Sequence, residues 1–300
     1  MKSKLCIRLL LLPFVLLLLF VACNKGDHSD TADPVDPSTN TNTFTTTTNT
    51  PCANAPDYGD SILYLQPKNN GDYIVEPVNN AGKQGTYLSW PEGLDINPAT
   101  GAINVTESET GVRYQVGFVK KGGSDTCVSE LILGGMTYLD NIYVLDKNDT
   151  LAPPVFNANP NITSLCDVSD DSDYPDNNAN GNNQCAFDDE VTGQKANDQK
   201  LRVRTKSGII NLKKSLNDGL FGKNPKNGDS KKVKIVYRLN DDSKKSKQKI
   251  TVQVVYYDKV SSIPASLQQE VVNKRKSMTS LRIVNGKPRP PLLIIAGLSY

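Results

Sequence analysis

The feature that most constrains the fold is a segment that occurs twice. Leu94-Asp-Ile96-Asn-Pro-Ala-Thr-Gly101-Ala-Ile103-Asn104-Val105 matches Leu201-Arg-Val203-Arg-Thr-Lys-Ser-Gly208-Ile-Ile210-Asn211-Leu212, with the same Leu–Gly–Ile–Asn spacing at an offset of 107 residues. Ser108 then aligns with Ser215, and Gly111 with Gly219 after one inserted residue. Each copy reads as strand, turn, strand: apolar residues alternate, a Thr-Gly or Ser-Gly pair makes the turn, and alternation resumes. Glycine suits a turn position that needs positive φ. The offset is the size of a sandwich domain and exceeds the roughly 20 to 50 residues of a solenoid unit.

The first copy carries more than the turn. Pro91-Glu92-Gly93-Leu94, then Thr100-Gly101-Ala102-Ile103, then Gly111-Val-Arg-Tyr114 before an alternating strand, resembles the Ig-like, cadherin-like domains of bacterial surface proteins. The second copy keeps the Leu-x-Val and Ser-Gly-x-Ile parts and diverges at Leu220-Phe221-Gly222. The resemblance implies a β-sandwich with an adhesive or spacer role. Its motif marks a turn and two strands, so it transfers no catalytic residue.

Short β-branched or aromatic runs bounded by Gly, Pro and Asn agree with that fold. They are residues 61–65, 72–78, 114–120, 129–133 and 141–145, with a hairpin of 232–239 and 249–257. Residues 262–276 read as a helix, with Pro264 near its first turn and Lys274, Arg275 and Lys276 in its last. Residues 289–297 read as an edge strand, because prolines precede them. The expected fold class is therefore all-β: two tandem Ig-like or cadherin-like β-sandwiches with one short C-terminal helix. The expected boundaries are 52–150 for the first sandwich, 151–262 for the second with an acidic insertion at 166–185, and 263–300 for the helix and tail.

The N-terminus carries an address. Lys2, Lys4 and Arg8 precede an apolar run from Leu9 to Val21, broken only by Pro13, and Phe20-Val21-Ala22-Cys23 closes it. That order is the layout of a secretory signal, and the run is well short of the ~20 residues a membrane-spanning helix needs. The ending resembles the lipobox of bacterial lipoproteins, with Phe20 where leucine is usual. The resemblance implies removal of 1–22 and lipidation of Cys23 on its sulfur and amine. Asn24 stands where Asp retains such proteins in the inner membrane of enteric bacteria, so the outer membrane is expected, with surface exposure open. Residues 23–51 read as a lipidated cysteine and a Thr/Asn/Pro-rich tether that offers no apolar face.

Composition narrows the chemistry. The single histidine is His28, five residues from Cys23. Ser-His-Asp and Cys-His catalysis need an imidazole held beside a nucleophile, and zinc catalysis on His ligands needs several; the body of the chain supplies none. Carboxylate pairs, as in glycoside hydrolases, remain compatible. Beyond Cys6 in the signal and Cys23, four cysteines remain: Cys52, Cys127, Cys166 and Cys185. An even number in an exported chain points to disulfides with three open connectivities. Cys52 to Cys127 and Cys166 to Cys185 are favoured, because each pair falls within one proposed domain; free buried thiols are the alternative.

The formal charge of +2 conceals an asymmetry, since residues 201–300 hold 22 Lys and Arg against 6 Asp and Glu. A basic back half calls for an anionic partner such as polysaccharide, a surface protein or anionic lipid; nucleic acid is not expected. Lysines that only solvate strand faces would give the same count. Between Cys166 and Cys185, Asp171, Asp173 and Asp176 present hard oxygen ligands of the kind Ca²⁺ prefers. They loosely resemble the calcium loops of thrombospondin type 3 repeats but lack the glycine of the sharp turn. A solvated acidic insertion is the alternative, and no cofactor is required. The functional expectation is a non-catalytic, membrane-anchored surface lipoprotein serving as an adhesive, glycan- or protein-binding, or spacer module. The alternatives are a carboxylate-dependent carbohydrate-active enzyme and a structural partner of an outer-membrane complex. Cys23→Ala is expected to move the protein from the membrane to the soluble fraction on cell fractionation; continued membrane association would overturn the lipidation assignment.

Overall fold

Alternating apolar residues and glycine turns yield a chain that is almost wholly β, with sixteen strands and two α-helices among residues 52–166, 185–283 and 290–300, which a computed structural model describes. All of these residues fall within one compact unit. The first six strands are β1 (Ile62–Leu63), β2 (Ile74–Val75), β3 (Gly85–Trp90), β4 (Ile103–Asn104), β5 (Val112–Lys120) and β6 (Thr126–Leu133). They form a four-stranded sheet in the order β1-β6-β5-β3 and a two-stranded sheet of β2 and β4. Leu63, Ile103, Val105, Tyr114, Val116 and Leu131 form the buried cluster of this half.

The second half comprises β7 (Met136–Tyr138), β8 (Asn141–Val144), β9 (Leu151–Ala152), β10 (Pro154–Phe156), β11 (Ala186–Phe187), β12 (Arg202–Val203), β13 (Ile210–Asn211), α1 (Leu212–Asn217), β14 (Ser230–Arg238), β15 (Gln248–Lys259), α2 (Ala265–Thr279) and β16 (Leu292–Leu298). Its sheets run β11-β14-β15-β16-β8 and β12-β13-β9, with β7 paired to β10. Leu201, Val203, Ile210, Val233, Ile235, Val252, Val254, Leu293 and Ile295 are buried in its main apolar cluster.

The two copies of the repeated segment fold alike, bond for bond. Ile96 bridges Ile103 as Val203 pairs with Ile210. The amide of Gly101 donates to Asn97 O and that of Gly208 to Arg204 O. Ser108 Oγ donates to Asn104 O and accepts from Asp95 N, as Ser215 Oγ does with Asn211 O and Arg202 N. A buried tyrosine hydroxyl then donates to each turn carbonyl, Tyr58 to Gly101 O at 2.7 Å and Tyr138 to Gly208 O at 2.6 Å. The copies part after the asparagine. In both copies the asparagine side chain accepts from the amide three residues on, Glu107 N at 3.3 Å and Lys214 N at 2.9 Å, but only the second continues into a helix, α1, which the strand pattern alone does not predict.

Two other expectations are corrected. Residues 289–297 do not end in an edge strand: β16 is interior, parallel to β15 on one side and to β8 on the other. Pro290 and Pro291 stand before Leu292, where the strand begins, so they remove no N–H from it. Leu292 to Ala296 are all buried, the continuous apolar run of a strand covered on both faces. Residues 141–145, grouped by sequence with the first sandwich, supply β8 to the second sheet. Helix α2 is the crossover that a parallel β15–β16 pair requires. It lies over the outer side of that sheet, where Val271 joins Val255, Tyr257, Ile294 and Ala296.

The favoured disulfides are formed. Cys52 joins Cys127 and Cys166 joins Cys185, with Cα atoms 5.5 Å and 5.6 Å apart. In the chain-entropy view the longer bridge contributes about 4 kcal/mol and the shorter about 3 kcal/mol. Hydrogen bonds also tie the halves together. The Tyr237 hydroxyl receives Met136 N (3.2 Å), donates to Gln248 Oε1 (3.2 Å) and meets Thr110 Oγ1 at 3.0 Å. Burial pushes its pKa up to about 12, so it stays protonated and can donate. Asn157 accepts from Gly135 N and donates to Tyr64 Oη.

Gly101 and Gly208 have φ of +77° and +73°, and a Cβ on them would stand 2.6 Å from the Tyr87 ring and 2.5 Å from the Phe187 ring. Gly208→Ala is therefore expected to destabilise the protein by about 3 kcal/mol, combining left-handed strain with overpacking. The check is the denaturant midpoint, and an unchanged midpoint would contradict the turn assignment.

Candidate functional site

Alternation along β14 separates two chemistries. Val233, Ile235 and Tyr237 enter the main cluster, so Lys232, Lys234, Val236 and Arg238 face the other way. Along β15, Val252 and Val254 point inward, and Lys249, Thr251 and Gln253 share the outer face. The register sets Lys232 opposite Gln253, Lys234 opposite Thr251 and Val236 opposite Lys249. Arg238 and Lys247 stand at the end of that ladder.

Among the described residues two carboxylates form ion pairs on this face, both from the loop after β11. Arg238 Nε donates to Asp189 Oδ2 at 2.6 Å, and its Nη1 donates to Lys245 O at 2.8 Å. Glu190 lies between two lysines: Oε2 accepts from Lys234 Nζ at 3.1 Å, and Oε1 is 3.7 Å from Lys247 Nζ. The Lys234 hydrogen bond is the largest influence on Glu190 and holds its carboxyl below the usual carboxylate value. Among the described residues Lys232 and Lys249 make no ion pair and are exposed. Among the described residues five cations thus meet two carboxylates on one face. Val236, in their midst, is only 5% exposed, so the face presents charge rather than apolar surface.

Lysine runs at 231–234 and 244–249 are visible in the sequence, but the structure divides them. Lys231 turns away and donates to Gln199 O at 2.8 Å, whereas Lys232, Lys234, Lys247 and Lys249 come together with Arg238. The equal parity of these positions within the two strands is a signal that period-2 reading could have used. Asp189 and Glu190 carry no such signal. Of the other sequence candidates, Cys52, Cys127, Cys166 and Cys185 are the disulfide cysteines described above. Cys23 lies outside the described residues, as do Asp171, Asp173 and Asp176 of the acidic insertion. Among the described residues, no group of three or more His, Cys, Asp or Glu side chains is arranged to hold a metal ion, and no helix is long and apolar enough to cross a membrane.

No known protein family and no curated protein matches this sequence. Among solved structures, Drosophila N-cadherin EC1-4 is 13% identical over 67% of this chain and 49% of its own, with a TM-score of 0.19. A SusE-like surface located polysaccharide binding protein from the Bacteroides thetaiotaomicron heparin utilisation locus is 10% identical over 64% of this chain and 32% of its own, with a TM-score of 0.22. Human protocadherin-24 EC1-2 is 8% identical over 67% of this chain and 96% of its own, again at 0.22. The chain thus spans about half of the N-cadherin structure and a third of the SusE-like one.

The Glu190 pairing has a definite pH signature. Because its folded pKa is depressed, the pairing is present above the ordinary value of 4.5 and is lost as pH falls through the lower folded value. In a carboxyl NMR titration Glu190 should titrate below 4.5, and Lys234→Met should move it back towards 4.5. A Glu190 titration unmoved by that substitution would remove the lysine from the account.

Proposed function

We propose that this protein is a non-catalytic module carried on a lipid anchor at Cys23 and displayed at the outer membrane, where it binds a glycan or protein partner. The observation that carries this reading is the outer face of β14 and β15, where Lys232, Lys234, Arg238, Lys247 and Lys249 outnumber Asp189 and Glu190. Like charges held side by side on a sheet repel one another, and an anionic partner relieves that repulsion. The lipobox-like N-terminus supports display, and the β-sheets of the body supply a face to present.

The non-catalytic part follows from the side chains available. His28 is the only imidazole in the chain, and it falls in the Thr/Asn/Pro-rich stretch that the sequence marks as a tether. Nucleophile–imidazole chemistry has no base here, and hydrolysis would fall to carboxylates alone.

The test is retention on immobilised glycans and extracellular proteins, with product release followed in parallel. The expected outcome is saturable retention on at least one of them with no new reducing ends or cleaved peptide above the buffer rate. Turnover would overturn the non-catalytic reading, and absence of retention on the whole panel would overturn the binding reading.

A further inference from the structure

We infer that the outer face of β14 and β15 is a site for a single linear acidic polysaccharide lying along the strands, and that Glu190 holds one of its anion positions until it binds. This rests on the reading of that face as the binding surface and adds the class of ligand.

The register carries the argument. Side chains on one face of a strand recur about every 7 Å, two residues of ~3.4 Å each. At the level of Lys232 and Gln253 there is one cation, and at that of Lys234 and Thr251 another. Where β14 offers Val236, β15 offers Lys249, and Arg238 with Lys247 follows. Every level from 232 to 238 therefore has a cation, in a stripe about 20 Å long. Such an unbroken single file matches a chain with regularly repeated carboxylate or sulfate groups.

The other side chains of the face select among polyanions. Ser230, Thr251 and Gln253 stand beside the cations, and Gln253 Nε2 donates to Ser230 Oγ at 3.0 Å. Hydroxyls and an amide of this kind suit sugar hydroxyls. No aromatic residue stands among the outward positions 232, 234, 236, 238, 249, 251 and 253, so the stacking platform that holds single-stranded nucleic acid is missing. Nothing apolar projects from it either, since Val236 is buried, and a lipid surface would find no side chain to insert.

Glu190 shows where one anion sits. Its carboxylate spans the two strands, 3.1 Å from Lys234 Nζ and 3.7 Å from Lys247 Nζ, the place a ligand carboxylate or sulfate would take. A bound polysaccharide competes with it, so Glu190 lowers the affinity of the face for its own ligand.

Binding of the full chain to polygalacturonate and to dextran sulfate tests this, with neutral dextran, oligo(dT) and phosphatidylglycerol vesicles as comparisons. At least one acidic polysaccharide should bind in a salt-dependent manner. The double variant Lys232→Gln/Lys249→Gln should bind it about tenfold more weakly, with a shallower dependence on salt. Those two lysines make no ion pair among the described residues, so the melting temperature should not move. Glu190→Gln should bind about threefold more tightly, whereas Asp60→Asn, which removes the same charge from the other sandwich, should not. Equal affinities for the double variant and the unsubstituted protein, equal gains from Glu190→Gln and Asp60→Asn, or tighter binding to oligo(dT) or vesicles would each overturn the inference. Retention of only a neutral glycan or a protein would overturn it while leaving the binding-module reading intact, and no partner at all would remove both.

Discussion

The arrangement of the C-terminal half depends on burying β16 from two sides at once. Leu293 and Ile295 face the main apolar cluster, and Leu292, Ile294 and Ala296 face the cluster under α2. Burying five such side chains is worth on the order of 10 kcal/mol before the cost of ordering them. The strand also joins β8 to β15, which otherwise share no edge. In the N-terminal half the comparable contact is direct, with β1 lying parallel against β6. The C-terminal half has opened that seam and inserted a strand from the far end of the chain. Among the described residues the outer face then divides into a part roofed by α2 and a part that no helix covers, and the second part is the basic one.

The junction between the halves adds a second constraint. The Tyr237 hydroxyl touches groups from three separated stretches of chain, at Thr110, Met136 and Gln248. Gln66 Nε2 donates to Asp242 O at 2.6 Å, a contact across 176 residues. Tandem sandwiches joined by a bare linker swing freely, whereas here β7 and β8 follow β6 almost at once and both belong to the second half. The orientation of the basic face relative to the N-terminal half is therefore set by hydrogen bonds rather than by linker length.

Much of this architecture is legible in the sequence because it is local. Period-2 alternation marks β5, β14 and β15, and the repeat places two glycine turns whose hydrogen bonds coincide. Each disulfide closes within its own half. The parts that are not legible depend on partners far away in the chain. The prolines before β16 suggest an edge, but its neighbours are β8, some 150 residues upstream, and β15 across a helix. The asparagine before α1 ends a strand and accepts from the amide three residues on in both copies, so only the residues after it decide that a helix follows in the second. In the candidate site the lysines are visible as runs, yet only strand parity separates Lys231 from Lys232. Glu190 is invisible to any local rule, since it reaches Lys234 from 44 residues away.

The Cys52–Cys127 bridge has a mechanical meaning. A pull arriving from the N-terminal side at Cys52 passes through the sulfurs into β6, and from there into β7 and β8. The stretch between the two cysteines, which stand 75 positions apart, is bypassed, so most of the N-terminal half carries no load. Released, that stretch would lengthen the chain by about 250 Å at full extension; bridged, it adds nothing. Beyond it, β8 lies parallel to β16, so a load along the strands shears their hydrogen bonds together instead of unzipping them one at a time. Under tension the N-terminal half is a washer on the line, and the sheet bearing the basic face is the element that resists.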